Sequence, residues 1–154
     1  MSKAKAGELT ALQAALAAEH AAVYGYGVVG GAIREGRRDE ARGGYDAHRE
    51  RRDDLVREVL ELGGEPVAAE AGYALPFPVP DSPAAARLAA AVEDGVAGVY
   101  SDLVRATTGE RRRAAAAALS EAAVRAVRWR GESVAFPGLA ERAATGSASA
   151  TPTA

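Results

Sequence analysis

A glutamate set into the apolar stripe of a long helix constrains this chain more than any other feature. Between Leu9 and Ile33 the sequence runs LTALQAALAAEHAAVYGYGVVGGAI, and Leu9, Leu12, Leu16, Glu19, Val23 and Gly27 recur at intervals of three and four residues. That spacing marks one helical face, so Glu19 lies on the side that meets a core. Burying an unpaired carboxylate costs several kcal/mol in practice, so Glu19 requires a metal, a cation or a proton-sharing group on a neighbouring element. The adjacent His20 points about 100° away around the helix and is read as an interface or surface residue. Gly25, Gly27, Gly30 and Gly31 follow in the same helix, each unfavourable there by up to ~1 kcal/mol relative to Ala. Close packing of a neighbouring helix, a kink, or room for a ligand beside Tyr24 and Tyr26 would account for them.

The rest of the chain repeats the helical pattern. Aromatic residues make up only 5% and alanine is abundant, while Val and Ile nowhere alternate with polar residues over a useful length, so helices are expected rather than strands. A second helix is predicted from about Ala41 to Leu62, its inner stripe reading Tyr45, His48, Arg52, Leu55, Val59 and Leu62, with Gly63-Gly64 as its stop. Residues Glu65 to Pro83, EPVAAEAGYALPFPVPDSP, hold five of the seven prolines and form a non-helical connection. Extended at ~3.1 Å per residue, it spans more than ~50 Å and can cross a bundle from end to end. Tyr73, Leu75, Phe77 and Val79 are spaced to lie along its surface.

A third helix starts with Ser82 as cap and Pro83 at its first position and runs to about Thr107. Its stripes include Leu88, Val92, Val96, Val99 and Leu103, with Glu93 and Tyr100 bordering the core. A fourth, from Glu110 to about Arg130, turns Ala115, Ala118, Leu119, Ala122, Ala126 and Trp129 inward, with Glu121 and Arg125 at the edge of that face. Residues 1–7 are expected to fray, Ser133 to Leu139 to fold back through Phe136 and Leu139, and 143–154 to be a disordered tail. The expected architecture is all-α: one four-helix bundle over residues 1–142, with a long Pro-rich crossover between helices 2 and 3.

Several function classes drop out. With no cysteine, disulfides, thiolate zinc sites and cysteine nucleophiles are excluded, and the composition suits a cytoplasmic protein. A formal net charge of -2, from 19 basic and 21 acidic residues, provides no basic field for nucleic acid. The longest uncharged apolar run, Ala21 to Ile33, is shorter than the ~20 residues that span a bilayer. There is no phosphate loop after a strand and no nucleophile elbow.

Each helix does place an ionisable residue near its middle: Glu19, His48, Glu93 and Glu121. Hard cations take oxygen and imidazole ligands from facing helices, so this is a candidate site for iron or manganese. Arg52 and Arg125 lie at the same level, and a guanidinium can pair with carboxylates in a metal's place. Tyr24, Tyr26, Tyr45 and Tyr100 are candidate hydroxyl donors to Glu19 or Glu93.

The segments LQAALAAEHAAVYGYGVVGG, AHRERRD, YALPFPV, VRWRGES and AFPGL resemble the alanine-rich ferritin-like domain of unknown function of high-GC bacteria. The four helices as a whole resemble the ferritin-like superfamily. The resemblance implies a metal site in which two helices each give a Glu and two others each give a Glu-x-x-His pair. Glu19 and Glu93 match the lone acids. Tyr45 stands in the Glu position before His48, and Val124 in the His position after Glu121, so two of six ligands are missing. Two functions follow: a non-catalytic binding or assembly module, homodimeric, with a degenerate metal site; or a carboxylate metalloprotein of iron or manganese that acts in oxidation or metal handling.

Overall fold

The computed structural model describes residues 2–132, and among them the chain forms four α-helices and no strand. Helix α1 spans Lys3–Ala32, α2 Arg38–Glu61, α3 Ser82–Ala106 and α4 Gly109–Arg130. Helix α1 starts well before Leu9, because Ser2 accepts a hydrogen bond from Lys5 N at 3.2 Å and caps the first turn. A single 3-10 turn, Glu35–Arg37, links α1 to α2, so α2 also begins earlier than its apolar stripe indicates. The third helix is capped by Asp81, not Ser82: the Asp81 carboxylate accepts from Ala84 N at 2.8 Å. Ser82 Oγ instead accepts from Arg34 N at 3.0 Å, tying the start of α3 to the end of α1. Gly63 at φ 77° and Gly131 at φ 88° close α2 and α4 in the left-handed conformation, as their placement after the periodic stretches predicts. Among the described residues no helix is long and apolar enough to cross a membrane.

Helix α1 packs against α2 and α3, and α3 packs against α4. Two apolar clusters fill the interior. One holds Leu12, Leu16, Leu55, Val59, Val96 and Leu103; the other, towards the opposite end, holds Val29, Ile33, Leu88 and Trp129. Each fully buried Leu or Val is worth roughly 1.5–3 kcal/mol relative to exposure, and these contacts hold the helices in register. Long side chains bridge α4 to its neighbours: Arg111 reaches Glu58 and Glu61 of α2 as well as Glu8 of α1, and Arg37 of the 3-10 turn stacks 4.0 Å from the Trp129 ring.

Residues 62–81 carry no helix or strand. From Tyr73 to Val79 every second residue is half-buried and the prolines between are exposed, the alternation of an extended chain lying on a surface. Leu75, Phe77 and Val79 pack on the second cluster, and Tyr73 rests against Tyr24 with ring centres 5.5 Å apart. His20 and Gln13 pin the beginning of this segment to α1 through Val67 and Glu65. The fold-back through Phe136 and Leu139 and the 143–154 tail lie outside the described residues.

Candidate functional site: a buried histidine between two glutamates

Between the apolar clusters, three helices each contribute one wholly buried ionisable residue: Glu19 of α1, His48 of α2 and Glu93 of α3. His48 bridges the acids, with Nδ1 2.6 Å from Glu19 Oε2 and Nε2 3.1 Å from Glu93 Oε1. A neutral imidazole has only one N–H, so donating to both carboxylates requires the imidazolium. Burial alone disfavours that charge, but the hydrogen bonds and negative charges of Glu19 and Glu93 outweigh it and push the His48 pKa up to about 9.

Two phenols add further donors to the carboxylates. Tyr100 Oη donates to Glu19 Oε1 at 2.7 Å, and Tyr26 Oη donates to Glu93 Oε1 at 2.5 Å. Trp129 Nε1 in turn donates to Tyr26 Oη at 2.9 Å. Burial, and then the neighbouring acid, raise both tyrosine pKa values well beyond the ordinary phenol, so the hydroxyls stay protonated as donors. The chain of contacts runs unbroken from Trp129 through Tyr26, Glu93, His48 and Glu19 to Tyr100.

Arg125 of α4 supplies a second positive charge, its Nη1 lying 3.6 Å from Glu93 Oε2. These two atoms are buried and make no hydrogen bond among the described residues. The inner group therefore holds two carboxylates, one imidazolium and one guanidinium, whose formal charges cancel. Next to it, Glu121 is half-exposed and takes Arg51 at 2.5 Å and Arg125 at 3.4 Å.

The structure thus brings together Glu19, His48, Glu93, Tyr100 and Arg125. Glu121 joins through the two arginines, without touching the other acids. Arg52 turns away to Asp53 at 2.7 Å, and the neighbouring Arg51 takes its expected place. Tyr24 is 40% exposed, and Tyr45 sits outside the network within reach of Arg49. Arg51 and the Trp129 indole are the members that sequence reading missed. Arg51 lies one helical turn beyond His48, the signal that could have found it.

The donor arrangement does not fit a di-metal centre. Both His48 nitrogens are taken up by carboxylates, Arg125 faces the remaining oxygen of Glu93, and Val124, in the place of the missing histidine, is 50% exposed on the outside of α4. Among the described residues no group of three or more His, Cys, Asp or Glu side chains is arranged to hold a metal ion.

Comparison with known proteins places the chain without naming an activity. Residues 11–141 match the model of a family described as a domain of unknown function, DUF4439. A solved structure, a conserved hypothetical protein, rv2844, from Mycobacterium tuberculosis, is similar at 36% identity and a TM-score of 0.80. The match covers 85% of this chain and 98% of that one. No curated protein matches.

Proposed function

We propose that this chain, which belongs to the DUF4439 family, is a ferritin-like bundle working as a non-catalytic binding or assembly module, its former metal position closed by the protein's own cations. The observation that carries this reading is His48, clamped between Glu19 and Glu93 with both nitrogens engaged. The ferritin-like assignment is supported by the pairing of α1 with α2 and of α3 with α4, by the α1–α3 contact, and by the long Pro-rich connection between the two pairs. We read residues 1–142 as one such domain, cytoplasmic and self-associating as a dimer through its alanine- and glycine-rich faces.

A second reading, a carboxylate protein of iron or manganese, draws on one observation: Glu93 Oε2 is a buried carboxylate oxygen with no hydrogen-bond partner among the described residues. Elemental analysis of full-length protein, purified without chelator and passed through gel filtration, separates the two. The first reading expects folded protein with metal far below stoichiometric. Stoichiometric iron or manganese that disappears in Glu19→Ala would establish the second.

A further inference from the structure

The helices form two close pairs, α1 with α2 and α3 with α4, and the pairs meet through α1 and α3. Across the remaining side, between α2 and α4, the backbones stand further apart and arginines make the crossing. Arg37, just before α2, donates to Arg128 O at 3.2 Å, Arg51 reaches Glu121, and Arg111 reaches Glu58 and Glu61. Ion pairs that water can reach hold weakly, so this seam is the least firmly closed side of the bundle.

Behind the seam the polar groups are incompletely matched. Glu93 Oε2 and Arg125 Nη1 are buried, 3.6 Å apart and without a hydrogen bond among the described residues, while Glu121 holds Arg51 at 2.5 Å and Arg125 only at 3.4 Å. Polar groups short of partners disfavour the closed form, and water entering the seam would satisfy both. His48 is also held unequally, at 2.6 Å from Glu19 of α1 and 3.1 Å from Glu93 of α3. A rotation of α2 about α1 therefore keeps the shorter bond and gives up the longer. A cleft of about 50 Å³ already enters the seam between Arg51 and Leu55 of α2 and Arg111 and Ala115 of α4, closed on the inside by the buried Tyr100 and Leu103 of α3. Tyr100 donates to Glu19, so the cleft ends at the network.

We infer that the α2–α4 seam is a gate: α2 swings off α4 while staying on α1, Arg51, Glu121 and Arg125 form its latch, and the open form admits water and small solutes to the buried carboxylates. The inference goes beyond both readings of the network and holds whether or not that network takes a metal.

The chain has no cysteine, so a thiol placed in the seam reports its opening. Ala115, 2% exposed, lines the cleft on α4, and Ala22, 1% exposed, lies on the side of α1 that meets α3. The test is the rate at which an aromatic disulfide reagent, too large for the cleft as it stands, labels Ala115→Cys and Ala22→Cys in the full chain under native conditions. The thiol at 115 is expected to react at least about tenfold faster than the thiol at 22, because the first needs only the seam to open and the second needs the α1–α3 core to come apart. Adding Glu121→Gln should speed labelling at 115 at least about threefold and change that at 22 by less than about twofold. Arg51→Lys, which keeps the charge, should give a rate at 115 between those of the parent and of Arg51→Gln. If Ala115→Cys does not fold, Ala118→Cys, the next buried position along α4, takes its place. The inference is overturned if the two thiols react at equal rates, if Glu121→Gln speeds both alike, or if it speeds neither.

Discussion

His48 is where sequence, packing and charge meet. An imidazolium between two buried carboxylates is stabilising only while all three are present, since removing one partner strands the others away from water. His48→Ala is therefore expected to destabilise the fold by about 3–5 kcal/mol in chemical denaturation. Tyr100→Phe removes one donor from Glu19 and should cost about 1–3 kcal/mol. The pH dependence follows from the raised pKa of His48, from the ordinary 6.5 to about 9. The folded state binds the proton more tightly than the unfolded chain does, so this contribution is fully present below pH 6.5 and is lost as pH rises through about 9. The unfolding free energy from urea denaturation should fall over that window by about 3 kcal/mol, and His48→Gln should flatten the decline; an unchanged profile in that variant would remove His48 as its source. Glu19 was legible in the sequence because it sits on an otherwise apolar stripe, Glu93 because it borders one, and His48 because it shares a helical face with Leu55, Val59 and Leu62. The choice of Arg51 over Arg52 was not, because adjacent helical residues diverge by about 100° and only the neighbouring helix decides which one reaches an acid.

At the scale of the helices, glycine positions separate packing from open space. A Cβ at Gly44 would run into the ring of Tyr26, so Gly44→Ala should cost about 1–3 kcal/mol and disturb the Trp129 fluorescence through the Tyr26 bond. Gly27→Ala meets nothing and should raise the thermal stability by about 0.5–1 kcal/mol. If the two substitutions behave alike, the close approach of α1 and α2 at Gly44 is not what fixes that residue. The helices themselves were legible from their three-and-four periodicity and from Gly63, Gly131 and Pro83. Their starts were less so: Ser2 and Asp81 cap helices whose first turns carry no apolar stripe, and the bond from Arg34 N to Ser82 that frees Ser82 from capping is a tertiary contact between distant segments. The absence of helix from Glu65 to Asp81 was readable from the prolines, and the alternation of Tyr73, Leu75, Phe77 and Val79 indicated which side chains turn inward.

Taken as a whole, the molecule places a charge-balanced polar layer between two apolar clusters. The layer ties all four helices together: α1 through Glu19 and Tyr26, α2 through His48, α3 through Glu93 and Tyr100, and α4 through Arg125 and Trp129. A layer of this kind ranks alternative packings of alanine-rich helices, since a slip in register strands a buried charge where a purely apolar core would tolerate it. Whether the cations on these helices replace a metal is decided most directly by the metal content of full-length protein isolated without chelator. The account predicts folded protein with iron and manganese far below one ion per chain; stoichiometric metal, lost on Glu19→Ala, would contradict it.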